Sequence, residues 1–389
     1  MGYLIRKTFM DFKKKKRDSL PYKLAYTQLP KKQNWSSSSW WFFILLPKEG
    51  KGYGPRQLMF AYASRVGKDV GVNKKWDRGI DLNRDVNGVD QFQTSVNHWH
   101  WDGKTMYDGL VHEIGEATMT KDGKMSCWNG YKQGNKTIKR GGSMDLDEDG
   151  VFHVNFQGQN GGGNFIFWNT HESEATSPEV TDMGNKFINF NLVAMRNGIF
   201  KGTFRTPEDE EIELEGLGYF QRVIMNLPTV PWLWNWTVFA DGSVYSYFVP
   251  YVGPHAFRRK SGYYNKFLEK LILPISTIST FHDAKTHKST TFEKTIVIPV
   301  SNGDGLPHFK VLSKNPNGDF VKFIAQPVAH TEFLLERRIF KRLWQTRWVY
   351  NEYPINALNF SATIDNIKLD TERLGNGFGN CEYTWGMSL

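Results

Sequence analysis

From Pro231 to Tyr251 the chain reads PWLWNWTVFADGSVYSYFVPY. Trp232, Trp234 and Trp236 recur at every second position, Asp241-Gly242 supplies a turn, and Tyr245, Tyr247, Val249 and Tyr251 recur at every second position beyond it. A helix returns to the same face after three or four residues, whereas a strand does so after two. The stretch is therefore a β-hairpin with large rings along single faces. Short alternating segments separated by Gly, Asn and Asp turns fill most of the chain, and aromatic residues make up 15% of it. Both features favour pleated, half-buried surfaces. The expected fold class is all-β, two antiparallel β-barrels in tandem, with one large sandwich as the alternative.

The chain divides into a basic N-terminal arm over 1–29, a first barrel over 30–212 and a second over 213–389, with the acidic run TPEDEEIELEG from Thr206 to Gly216 as the seam. Two segments show helical spacing, SGYYNKFLEKLILP from Ser261 and HTEFLLERRIFKRLW from His330. They predict one or two helical insertions in the second half. The longest apolar run, WWFFILL from Trp40, is too short to span a bilayer, which takes about 20 residues. With only Cys127 and Cys381 there is no disulfide framework and no cysteine metal cluster. These features point to the cytoplasm. A net charge of +9, with Lys13 to Arg17 behind Tyr3, Leu4, Ile5, Phe9 and Phe12, fits peripheral contact with an anionic membrane surface. No nucleic-acid motif is present, and the oligomeric state is open.

The stretch LEGLGYFQRVIMNLPTVPWLWNWTVFADGSVYSY resembles the middle signature of the carotenoid 1,2-hydratase (hydroxyneurosporene synthase) and AttH-like proteins. SSSWWFFILLP, followed by RQLMFAYASR, resembles that family's first strand pair, and GFGNCEYTWG its closing strand. The resemblance implies tandem lipocalin-like (calycin) barrels around a long apolar molecule: an isoprenoid, a carotenoid-like compound or another lipid. It also implies cofactor-free hydration, isomerisation or cyclisation. Trp41, Trp101, Tyr219, Gln221, Asn226, Trp234, Trp236, Tyr245 and Tyr247 become the candidate substrate-binding residues, and Arg222 a candidate catalytic one. In the hydratases an Asp precedes this Arg, where the present chain has Gln221. An amide cannot protonate a double bond, so the acid must come from elsewhere. A carboxyl raised in pKa by an apolar pocket could serve.

Glu113 and Glu116, in the strand LVHEIGEA, are the candidates for that acid. Asp241 belongs to the hairpin turn. His98 and His100 share a strand face, as in some zinc sites, but no third ligand has a spacing that demands a metal. DLDEDG, from Asp145, begins like a calcium loop but has Phe156 where the twelfth-position Glu belongs, so it is a polar turn. No cofactor and no metal are expected. Two other functions remain open: a non-catalytic lipid carrier or chaperone, and a glycan-binding or glycan-cleaving β-sandwich in which exposed rings stack on sugars.

Overall fold

A computed structural model of the chain describes residues 37–48, 55–65, 70–77, 83–84, 89–108, 113–120, 124–147, 149–159, 161–169, 179–184, 189–226, 230–254, 272–301, 305–339 and 344–387. These residues are almost all strand. Ten of the strands form a closed antiparallel barrel. In chain order they are β1 (Ser37–Pro47), β2 (Gln57–Arg65), β3 (Asp90–Trp101), β4 (Glu113–Met119) and β5 (Met125–Gln133). Then come β6 (Lys136–Leu146), β7 (Phe152–Gly158), β8 (Gly161–Asn169), β9 (Asn189–Arg205) and β10 (Glu211–Asn226). Neighbours in sequence pair from β1 to β8, β10 pairs β1 and β9, and β8 pairs β9 to close the ring.

A second large sheet begins with the quoted hairpin, β11 (Trp232–Phe239) and β12 (Val244–Val252). It continues through β13 (Ile278–Asp283), β14 (Lys288–Phe292), β15 (Lys294–Ser301), β16 (Pro307–Lys314) and β17 (Phe320–Pro327). It ends with β18 (Thr331–Ile339), β19 (Trp344–Ile364) and β20 (Gly377–Met387). The strand order is β14-β13-β12-β11-β20-β19-β17-β16-β15. Its two edge strands, β14 and β15, are separated in the chain by Glu293 alone, so the sheet curls until its edges meet. Side chains bridge this join: Thr295 Oγ1 donates to Ser279 Oγ at 2.8 Å and lies 2.9 Å from Ser313 Oγ, which the Tyr245 hydroxyl meets at 2.6 Å.

Two sequence expectations change. The seam is not at the acidic run. Residues 206–210 are a hairpin turn between β9 and β10, and Arg205 pairs with Glu211. The first barrel therefore keeps its chain through Asn226. HTEFLLERRIF is not helical: β18 pairs along its length with β19, from Thr331 opposite Glu352 to Ile339 opposite Trp344. Its Phe, Leu and Arg pattern satisfies either period, and a long partner strand overrides local propensity. The one described helix is a single turn, Thr371–Leu374, capped by Asp370. The N-terminal arm and most of the other helical expectation, residues 261–271, lie outside the described residues.

The quoted hairpin does not put its two ring sets together. Trp232 stands opposite Pro250, Trp234 opposite Phe248 and Trp236 opposite Ser246, while Tyr245 and Tyr247 oppose Thr237 and Asn235. Facing residues share a side of the sheet. The tyrosines therefore fill the second barrel's lumen with Leu233 and Cys381, and the tryptophans point outward. They pack on Phe42, Ile44, Met59, Ala61, Trp99 and Tyr219 from the outer wall of the first barrel. Meanwhile Trp41, Phe43, Phe60 and Phe220 fill the first lumen. All eight residues of β11 are buried because the strand has protein on both faces, which is also why WWFFILL is apolar at every position. At about 25 cal/mol per Å² and about 200 Å² for each indole, each tryptophan contributes about 5 kcal/mol of gross burial to this contact.

Close strand packing also fixes one glycine. A Cβ at Gly379 on β20 would lie 1.9 Å from the Trp236 carbonyl oxygen on β11. Gly379→Ala must push apart two central strands, and we expect a loss of at least about 2 kcal/mol, read as a fall in melting temperature.

Candidate functional site

Where the two barrels meet, a cleft opens with a cavity volume of about 80 Å³. On the same scale one water needs about 10–15 Å³, so the enclosed part holds about five to eight heavy atoms, the size of a single ring or a short branched chain. The first barrel contributes Trp40 and Phe42 from β1, and the second contributes Trp232, Phe333, Trp348 and Tyr350. Trp232 is the centre of this wall. Its ring stacks on Trp40 at 6.0 Å and meets Trp348 edge-on at 4.6 Å and Tyr350 at 6.1 Å.

The lining is mostly apolar but also includes Ser38, Ser39, Gln93, Thr94, Ser95 and Asn97. Asn97 Nδ2 donates to Ser95 Oγ at 3.0 Å, and Ser95 Oγ donates to the Ala63 carbonyl at 3.3 Å. The buried Asn97 Oδ1 has no hydrogen-bond partner. A buried acceptor without a donor costs about 1–3 kcal/mol, so this atom would welcome a donor from a bound molecule.

Behind the aromatic wall lies a pair of carboxyls. Glu352 on β19 and Glu382 on β20 are opposite each other in register, and both are buried. They lie on the outward face, because Asn351, Tyr353, Cys381 and Tyr383 alternate with them toward the lumen. The Trp232 indole N–H donates to Glu382 Oε2 at 2.7 Å, and the Asn380 amide donates to Glu352 Oε2. Gln57 of the first barrel holds Asn380 in turn, at 3.3 Å. The Tyr350 hydroxyl sits beside both carboxyls and favours their charged forms. Burial, followed by the charge of Glu382, nevertheless pushes Glu352 well above the ordinary carboxyl range. Burial also raises Glu382, against the pull of Tyr350 and Trp232. Two like charges this close in a dry site do not both ionise, so at least one proton stays at neutral pH.

Among the described residues, none of the sequence candidates lines the cleft. Trp41 is in the first lumen against Phe92, at 6.0 Å. Arg222 is in the same lumen, where its guanidinium donates to Asn191 Oδ1. Tyr219, Trp234 and Trp236 do come together, with ring centroids 5.1 and 5.6 Å apart, but inside the contact between the barrels. Tyr219 donates to Gln221 Oε1 at 2.7 Å. Tyr245 and Tyr247 are in the second lumen. Trp101 ends β3 opposite Gln57. Glu116 shares a face with the cleft residue Ile114, yet it is exposed. The side chains of Glu113 and Asn226, at strand ends, lie outside the described residues. Asp241 is the turn residue expected, accepting from the Ser243 backbone at 2.8 Å. Asp147 Oδ1 accepts the backbone N–H groups of Asp149 and Val151, closing the polar turn expected there.

His98 and His100 are also in the first lumen, 5.6 Å apart and against Phe156 and Phe204. Burial lowers both, His98 well down and His100 to about 4, so both rings are neutral near neutral pH. Among the described residues no three ligands gather around a point that could hold a metal. No described helix is long and apolar enough to cross a membrane.

No family model matches the chain, and no curated protein matches it either. Among solved structures, an AttH-type protein from Nitrosomonas europaea aligns with 89% of this chain and 91% of its own, at 11% identity and a TM-score of 0.46. CghA, solved with Sch210972, aligns over 94% and 96% at 10% identity and a TM-score of 0.47. Kievitone hydratase from Nectria haematococca aligns over 93% of each chain at 11% identity and a TM-score of 0.39. At this distance none of the three assigns a residue or a ligand here.

Trp232→Phe keeps a ring in the wall but removes the indole N–H that donates to Glu382. We expect a loss of about 1–3 kcal/mol, measured by denaturant unfolding. The glutamate pair sets a second expectation. Each folded pKa is raised, so the stability it contributes is complete below the unfolded value of about 4.3 and is lost as pH rises through the folded value. The melting temperature should therefore fall between about pH 5 and about pH 8, and Glu352→Gln should flatten that fall.

Proposed function

We propose that this chain binds an apolar molecule, an isoprenoid or another lipid, with one end seated in the cleft between the barrels, and that it transforms this molecule by hydration, isomerisation or cyclisation. The cleft itself carries the reading. Six aromatic side chains line it, together with hydroxyls and an amide oxygen that lacks a donor. Such a site suits a ligand that is mostly hydrocarbon with a single hydrogen-bonding group. The two lumens are less suited, because each is filled by its own side chains. The buried glutamates retain at least one proton near the cleft, whereas Gln221 is an amide and Glu116 faces solvent. A sugar-stacking role needs exposed rings, and Trp232, Trp234 and Trp236 are buried.

Organic extraction of the protein purified from its source should release an apolar compound in about stoichiometric amount. Ala63→Trp, placed in the cleft wall, should reduce that yield at least about tenfold without changing the circular dichroism. An unchanged yield from the variant, or an empty wild-type protein that binds oligosaccharides instead, overturns the reading.

A further inference from the structure

The outer face of β15, β16 and β17 is unlike an ordinary wet sheet face. Alternation sends Val297, Phe309, Val311, Val321 and Phe323 into the lumen, and the residues between them face out. In one row Ile298 stands opposite Lys310, Lys310 opposite Ile324, and Ile324 opposite Leu358 of β19. In the next row Ile296 stands opposite Leu312 and Leu312 opposite Lys322. In a third, Lys294 stands opposite Lys314. Ile296 and Ile298 are 40% and 49% exposed, and all four lysines are exposed. A solvated face normally mixes both signs of charge, yet no outward position of these three strands carries a carboxylate. The ion pairs of the second barrel run through Lys288, Arg347, Lys368 and Arg373 instead. Lysines directly across a ladder repel, and isoleucines left in water gain nothing from burial. Nothing among the described residues offsets either cost.

We propose that this face docks the protein on an anionic membrane surface, the isoleucines reaching the boundary between headgroups and acyl chains and the lysines meeting the lipid phosphates. The mixture of side chains selects this partner. A nucleic acid answers the lysines but not the exposed aliphatic groups. Interfaces between proteins are depleted in lysine, and a second copy of the chain would set lysine against lysine. A bilayer answers both, since its surface is negative and hydrocarbon lies just beneath. The chain's net charge of +9 has the complementary sign. The apolar character continues around the barrel. Thr277 Oγ1 donates to the Glu293 carbonyl at 2.7 Å, which brings Ile278 beside the start of β15. Ile278 stands opposite Phe248, and both are exposed. The Phe248 ring lies 5.9 Å from that of Trp232 in the lining of the cleft. Docking on this side therefore brings lipid toward the cleft. That consequence rests on the binding reading above, whereas the docking itself does not.

Both native cysteines are buried, so an introduced surface cysteine can be labelled selectively. The full-length variant Ile298→Cys carries a nitrobenzoxadiazole fluorophore on the proposed face. Ile166→Cys carries it on the first barrel, at a side chain that is 37% exposed. The probes are vesicles of phosphatidylcholine, with or without phosphatidylserine. We expect the protein to co-sediment with the phosphatidylserine vesicles at low salt and to be released as salt rises. The label at position 298 should brighten and shift to the blue on binding, while the label at 166 stays unchanged. In otherwise native protein, Lys310→Gln with Lys314→Gln should lower vesicle affinity at least about tenfold, and Ile296→Ser with Ile298→Ser should do the same, each with unchanged circular dichroism. Protein that ignores both kinds of vesicle overturns the proposal. So does protein that binds while the label at 298 stays silent, which would assign the contact to another surface such as the Lys13 to Arg17 run. A label at 298 that answers an oligonucleotide, or rising protein concentration, in place of vesicles gives the face to nucleic acid or to a second copy and also overturns it. The cleft reading is untouched by any of these results, because the extraction yield tests it separately.

Discussion

The rest of the structure depends on a strand with no free face. β11 turns Leu233 and Asn235 into one barrel and Trp232, Trp234 and Trp236 against the other. A β-strand in a barrel ordinarily has one wet side, and a tandem of barrels ordinarily meets through a modest polar contact. Here the contact is a layer of indoles and phenyl rings between the two lumens. It fixes how the barrels sit, and the cleft is the place where that layer fails to fill.

The same layer explains why a carboxyl pair can exist here. Glu352 and Glu382 point out of the second barrel, where a glutamate would ordinarily meet water. The first barrel covers that surface, and Gln57 reaches across to Asn380. The desolvation that raises both carboxyls is therefore a property of the assembled pair of barrels rather than of the second sheet alone. Two cross-strand glutamates in a dry layer cost stability, and proteins tend to retain such groups where they serve a site.

Much of the architecture was legible because it is written in local alternation. The hairpin, its Asp241-Gly242 turn and the all-β class follow from period two. The resemblance placed the aromatic strands in the right order. Which way the rings faced was not legible, since the register that separates Trp234 from Tyr247 is settled only by pairing. HTEFLLERRIF misled because its spacing fits two periods and its partner strand comes only later in the chain. The glutamate pair was missed because its members are joined by register across two strands, not by proximity in the chain. A signal was present, however. VYNEYPI and GNCEYTW each place one acidic residue in the middle of an apolar strand, and a lone charge in such a setting marks a covered site.

One detail of the second sheet bears on how the chain reaches this state. A short hairpin from the first half, Val70–Val72 with Lys75–Asp77, adds itself to the edge of β18. The Asn73 carboxamide accepts the Leu334 backbone N–H at 2.7 Å, and the Arg338 guanidinium lies over the Trp76 ring at 3.9 Å. The first half thus supplies a strand to the second. As the polypeptide leaves the ribosome, that hairpin waits for a partner encoded some 260 residues later. The hairpin itself emerges with an unpaired edge, and its pairing is coupled to synthesis of the far end of the chain.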